Sequence, residues 1–244
     1  MNTGKYVFAQ VAELLPANDF IKCLNRYSGN YQVKHFTCWH QLMCMLFGQL
    51  GNRESLSDLI VCLESQRSKW YHLGMGTGLS KSNLAYANEK RDWRIFADFA
   101  YVMIAKAREV CVDSHEFDLN IEGNVYAIDS TVIDLCLSIF WWAPFRKNKG
   151  AVKLHTQVHK TEIPSFVHLS DGLHHDINFL DQVSLEKKAF YIMDKAYISF
   201  KRFSRIHDAG AFFVTRLQTN QDYRRIYSNP VDKTTGIMCD QVIR

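Results

Sequence analysis

The chain has 244 residues, 47% of them hydrophobic and 22% charged, which describes one large or two modest globular domains and excludes a disordered chain. The net charge of +4 is mild, with 13 basic against 12 acidic residues in 1–120 and 16 against 13 in 121–244, so charge alone does not demand an anionic partner. No apolar run reaches the roughly 18 residues of a membrane span, and Met1-Asn2-Thr3-Gly4-Lys5 leads into no signal-peptide core. Seven cysteines, an odd number without C-x-x-C spacing, argue against a disulfide framework or a zinc knuckle. A cytoplasmic protein with buried thiols is expected.

The first hundred residues read as helical. Trp39, Leu42, Met43, Leu46, Phe47 and Leu50 fall on one helical face, with Gly51 as a stop. Ser55 and Asp58 have capping-box-like spacing at the start of a helix that buries Leu56, Leu59, Ile60 and Leu63. Leu73-Gly74-Met75-Gly76-Thr77-Gly78 matches neither glycine-rich phosphate signature and reads as a connection. Ser80 opens a polar, basic helix running through Lys90 and Arg91, and Phe96, Phe99, Met103 and Ile104 mark a last helix. Such a set of short helices reads either as a helix-turn-helix DNA reader or as a plain bundle with a solvated charged face; periodicity alone favours the bundle. The acidic, polar stretch 113–124 divides the chain into residues 1–120 and 121–244.

The second half changes to strands. Val125 to about Cys136 is an apolar run carrying Asp129, with Ala127, Thr131 and Ile133 on the same face and Asp134 on the other. Ile139 to Phe145 is aromatic and runs into a basic cluster, Arg146, Lys147, Lys149 and Lys153. It reads equally as a packed hydrophobic loop and as a nucleic-acid contact. Ala151–Val158 and Ser165–Leu169 are two further strands. His155 and His159 would lie roughly 13 Å apart on a strand and are rejected as joint metal ligands. His174-His175-Asp176 reads as a helix start with Asp176 as the cap. A short helix from about Ile177 to Glu186, a strand ending at Asp194, a helix Ser199–Asp208 and a strand Ala211–Arg216 complete the order. A lone carboxylate at a buried strand is costly unless it is paired or binds a cation. Two such strands suggest Asp129 and Asp194 converging on magnesium, although each Asp alone also reads as the first residue of a turn.

Four segments in order carry a family resemblance: Asp129-Ser130-Thr131, then 150–155 (Gly150-Ala151-Val152-Lys153-Leu154-His155), then Asp194-Lys195-Ala196-Tyr197, then Phe213-Val214-Thr215-Arg216. Together they resemble the bacterial insertion-sequence transposases of the DDE class, insertion sequence 4 group. Ala196 stands where that group usually has Gly. The resemblance implies an α/β fold class, an N-terminal helical domain that is a candidate for DNA binding, followed by an incomplete ribonuclease-H-like α/β core. It implies metal-dependent cleavage and strand transfer of double-stranded DNA, with no covalent enzyme intermediate. Asp129 and Asp194 carry over as catalytic ligands of Mg2+ (or Mn2+). Lys153, His155 and Arg216 carry over as phosphate contacts, Arg146, Lys147 and Lys149 as looser backbone contacts, and a homodimer on DNA as the working form. The group's third acidic residue is a Glu in a tyrosine-arginine-glutamate-lysine signature, yet no Glu follows Glu186, and Tyr223 to Arg244 reads as the start of a β-rich insertion. A chain truncated before its third carboxylate is therefore expected. The competing expectations are a non-catalytic DNA-binding fragment acting as an inhibitor, and another ribonuclease-H-like nuclease.

Overall fold

A computed structural model describes residues 4–111, 121–135, 144–146, 149–160, 163–173, 176–218 and 221–243. Two compact units, Met1–Cys111 and Val112–Arg244, divide the chain. The first contains α1 (Val7–Ala12), α2 (Ala17–Arg26), α3 (Cys38–Leu50), α4 (Leu56–Glu64), α5 (Lys81–Lys90) and α6 (Arg94–Cys111), with a 3-10 turn at Arg67–Leu73. Local chemistry sets several of these limits. The Thr37 hydroxyl accepts the His40 amide while the His40 ring accepts the Thr37 amide, a closed capping box. The Ser55 and Ser80 hydroxyls cap α4 and α5 by accepting the amides of Asp58 and Asn83. Gly51 ends α3, and Gly74 closes the 3-10 turn in the left-handed region at φ 63°. The core is Phe20, Met43, Leu63, Leu84, Ile95 and Phe99, with Phe20 edge-on to Phe99 at 5.1 Å.

One part of the basic-helix reading changes with the structure. The guanidinium of Arg91, just past α5, is turned inward and donates to the carbonyls of Phe36 and Thr37 and to the Gln41 side chain. Those acceptors make it a brace between α5 and the start of α3, while Lys81, Tyr86 and Lys90 stay exposed. No helix among the described residues is long and apolar enough to cross a membrane. Cys23, Cys38, Cys44, Cys62 and Cys239 are free thiols, and burial pushes Cys44 up to about 12.

The second unit is built on a sheet that has six strands among the described residues. Its strands are β1 (Val125–Leu135), β2 (Pro144–Arg146), β3 (Lys149–His159), β4 (Pro164–Asp171), β5 (Phe190–Met193) and, after α7 (Phe200–Asp208), β6 (Phe212–Thr215). The path is β2-β3-β1-β5-β6, with β4 also on β3. β3 runs antiparallel to β1 and β4, while β1, β5 and β6 run parallel. This is the ribonuclease-H-like α/β order, carrying one extra short strand in the segment read as an aromatic loop. Ile139 to Ala143, the rest of that loop, lies outside the described residues. β7 (Arg225–Asn229) and β8 (Asp240–Ile243) form a separate antiparallel pair.

Alternation assigns the two faces of the sheet. Tyr126, Ile128, Tyr191 and Met193 are buried against Phe179, Leu180, Phe203 and Ile206. Tyr126 and Tyr191 stack at 5.4 Å, and the Tyr191 hydroxyl accepts the Glu186 amide. The neighbouring positions Ala127, Asp129 and Ile192 point the other way and are exposed.

The helix expected from Ile177 to Glu186 is shorter than its pattern suggested, a 3-10 turn at Asp176–Asp181. Tertiary contacts explain this. Arg205 of α7 donates to the carbonyls of Leu180 and Val183, acceptors an α-helix would have used internally. Arg202 donates to Asn178 and Asp181. Phe179, Leu180 and Val183 then all face the core.

Gly123 sets the entry to β1. Its φ is +130°, and a Cβ there would meet the backbone oxygen of Lys188 at 2.4 Å. Gly123→Ala is expected to cost at least roughly 1–3 kcal/mol, read as a lower urea midpoint for the second unit.

Candidate active site

The parallel register brings the site together. Ile128 pairs with Met193, and Met193 pairs with Thr215. One residue further along each strand stand Asp129, Asp194 and Arg216, side by side on strands roughly 4.8 Å apart. They line one open cleft of about 460 Å³, together with Ala127, Ile128, Ile192, Met193, Val214 and Thr215. β5 and β6 end here, whereas β1 runs on with β3 as its only strand neighbour among the described residues. Such a position, at the carboxyl ends of parallel strands where pairing changes, is where open α/β sheets hold ligands.

Both carboxylates are fixed in the same way. Asp129 Oδ1 accepts the amide of Ser130 at 2.8 Å, and Asp194 Oδ1 accepts the amide of Lys195 at 2.5 Å. Asp194 Oδ1 also accepts from the Arg216 guanidinium at 2.8 Å. The Arg216 hydrogen bond, then the Lys195 amide, hold the Asp194 carboxyl below the usual carboxylate range. The Oδ2 atom of each Asp accepts no hydrogen bond among the described residues. Two ionisable oxygens thus face one cleft, a donor set that suits a hard cation completing its shell with water and phosphate. No group of three His, Cys, Asp or Glu side chains that could hold a metal occurs among the described residues.

The other expected site residues do not all join this cleft. Lys153 pairs across β1 with Val132, and His155 pairs with Ser130, so both lie on the face opposite Asp129. Lys153 is 3.1 Å from Asp176 and its side chain is 12% exposed. His155 is buried, stacked on Phe179 at 5.1 Å and hydrogen-bonded to Ser170. The alternation of β3 turns both beneath the sheet, on the face away from Asp129. Arg146 and Lys149 pair at the β2–β3 hairpin, next to Gly150, which faces Leu135. That hairpin is six residues past Asp129, roughly 20 Å along the strand. Lys147, His174 and His175 lie outside the described residues.

Sequence reasoning missed three features. Glu186, the last glutamate, is held by the Tyr126 hydroxyl at 2.7 Å and the Asn124 amide at 2.8 Å, at the opposite end of β1's pairing with β5. Asp176, read as a cap, instead accepts from the Ser130 hydroxyl at 3.0 Å as well as facing Lys153. Tyr197, in the segment that begins at Asp194, is buried, and burial pushes its hydroxyl up to about 12, with Ser130 opposing the rise and the carboxylates of Asp176, Asp129 and Asp194 adding to it. The signal for Asp176 was its position in a polar triplet between two apolar runs; nothing in the sequence gave its partners.

The helical unit has its own open cleft, about 570 Å³, between residues 27–36 and α5. Tyr31 and Tyr86 are exposed on its lining, with Lys34 and Lys90.

Comparison with known proteins places these features. Residues 121–243 match the family described as "Transposase DDE domain". Residues 3–76 match a domain of unknown function, DUF4372. No curated protein and no solved structure matches the chain.

Proposed function

The chain belongs to the DDE transposase domain family, and on that premise we propose that it cuts double-stranded DNA at the ends of an insertion sequence and joins the freed ends to a target. The observation that carries this reading is the convergence of Asp129, Asp194 and Arg216 in one open cleft at adjacent strand ends. The four motifs that contain Asp129, Lys153, Asp194 and Arg216 support membership in the insertion sequence 4 group.

Asp129 and Asp194 would hold magnesium (or manganese), which would supply Lewis-acid stabilisation of charge on the scissile phosphate. Arg216 leaves Asp194 and donates to a phosphate oxygen, a planar two-point contact that its exposed guanidinium is shaped to make. In the first step the oxygen of water bonds to phosphorus. The bond from phosphorus to the 3′ oxygen breaks, and that oxygen takes the proton that the attacking water gives up. In the second step the resulting 3′ hydroxyl attacks a target phosphorus in the same manner. Arg146, Lys147 and Lys149 are the looser contacts to the duplex backbone. The exposed Lys34 and Lys90 make the helical unit a further contact for duplex phosphates, with two chains acting as a homodimer on paired ends in the cytoplasm.

A second reading is favoured by one observation, the lack of a third carboxylate beside the pair among the described residues. In that reading the chain binds DNA without cutting it and inhibits a relative. A third, a structure-selective nuclease of the same fold, predicts cleavage of branched or hybrid substrates regardless of sequence. The test is nicking of a supercoiled plasmid carrying the element's ends, with Mg2+ or Mn2+ and with chelator. End-specific nicking that chelator abolishes is expected. DNA binding with no nicking at any metal concentration selects the inhibitor reading, and sequence-independent cutting selects the nuclease.

A further inference from the structure

On the underside of the sheet, Asp176 gathers three polar groups. The Ser130 hydroxyl donates to its Oδ1 at 3.0 Å, the Lys153 ammonium lies 3.1 Å from the same oxygen, and His155 Nδ1 lies 3.9 Å away. The site is largely enclosed: the side chains of Asp176, Lys153 and His155 are 20%, 12% and 2% exposed. A largely buried ion pair is weak evidence for stability, because apolar residues of the same volume serve as well. Its geometry gives it another use.

Ser130 is the link between the faces. Its amide donates to Asp129 Oδ1 on the cleft side, and its hydroxyl donates to Asp176 on the underside. β1 needs such a tether at this point. Its pairing with β5 ends at Ile128, so among the described residues Asp129 and Ser130 are paired laterally with β3 alone. Asp176 opens the 3-10 turn that packs Phe179 and Leu180 into the core, which makes it a rigid anchor. Lys153, two residues from His155 on β3, holds the Asp176 carboxylate in place.

We propose that Asp176, locked by Lys153, is a positioning residue that acts through Ser130 to aim the Asp129 carboxylate into the cleft. Partners of this kind orient a ligand without touching the ion. The inference rests on Asp129 being a metal ligand, and its test separates the two.

The experiment measures Mn2+ binding to the full chain by electron paramagnetic resonance, alongside thermal unfolding. The variants are Asp129→Ala, Ser130→Ala, Asp176→Asn and the double variant Asp176→Asn with Lys153→Met. Ser130→Ala and Asp176→Asn are expected to weaken Mn2+ binding about 10–100-fold. The double variant, which removes both buried charges, is expected to recover the melting temperature but not the affinity. Unchanged Mn2+ binding in Ser130→Ala overturns the proposal, as does recovery of both properties in the double variant, which would make Asp176 a counter-ion for Lys153 only. If Asp129→Ala binds Mn2+ as the natural chain does, the ligand assignment of Asp129 fails first and the positioning role falls with it.

Discussion

Asp129→Ala is expected to lower metal-dependent DNA nicking by at least about a thousandfold while leaving DNA affinity within a few-fold of the natural chain. The size follows from the chemistry. A carboxylate that holds the ion contributes several kcal/mol of charge stabilisation at the transition state, and each 1.36 kcal/mol is about tenfold in rate. Binding is spared because the cleft is one small part of a DNA footprint dominated by phosphate contacts. Removing a negative charge beside a polyanion even favours binding slightly. Asp194→Ala should give the same loss, and the double variant should lose little more, since two ligands of one ion act as a unit. Plasmid nicking and gel retardation, run on the same samples, read both quantities. Equal loss of binding and nicking in Asp129→Ala would mean a folding defect or a DNA contact, and would end the ligand assignment.

Arg216→Ala is expected to move two properties in opposite directions. In the structure Arg216 occupies Asp194 Oδ1, with its own side chain 78% exposed. Deleting it removes the competitor for a cation, so Mn2+ binding without DNA should tighten. It also removes the donor that meets the phosphate, so nicking should fall by about 10–100-fold, the worth of a hydrogen bond to a charged group. Titration adds a third readout. Arg216 is the first cause of the low Asp194 pKa, so Arg216→Ala should raise that pKa towards the ordinary carboxylate value of about 3.9. The sign for stability follows from the depressed folded value. The Asp194–Arg216 contribution is complete above the unfolded pKa and is lost as pH falls through the lower folded one. At neutral pH Asp194 therefore stays ionised, and the pair adds no pH sensitivity there. An nuclear magnetic resonance titration of the Asp194 carboxyl checks this, and an unchanged pKa in Arg216→Ala would break the link.

The contrast between Lys153 and Arg216 explains where reading by motif stops. Both are basic residues in segments resembling the same family. The alternation of β3 points Lys153 beneath the sheet to Asp176, while Arg216 follows directly on β6 and stands beside Asp194. A motif gives residue types and order but not the register between strands, and a shift of one residue moves a side chain to the other face. The same gap hid Glu186, held at the opposite end of β1's pairing with β5 by Tyr126 and Asn124.

Local patterns by themselves determined much of this protein. The spacing of apolar residues gave α3, α4 and α6, hydroxyl caps at Ser55 and Ser80 gave two helix starts, and apolar runs gave β1 and the strands ending near Asp194 and Arg216. These are short-range effects, set by backbone geometry within a few residues, so they are written in the chain directly. Alternation along β1 also separated Asp129 from Asp134 without any knowledge of neighbours. Tertiary structure alone decided what lies between elements. It shortened the segment after Asp176 to a 3-10 turn, because Arg205 takes the carbonyls a helix would have used. It joined Ser130, Lys153 and Asp176 beneath the cleft and set Asp129, Asp194 and Arg216 side by side above it. The hydrogen bonds and ion pairs among them join residues 22 to 46 positions apart, and which of them form depends on strand order and register, quantities that only the folded sheet supplies.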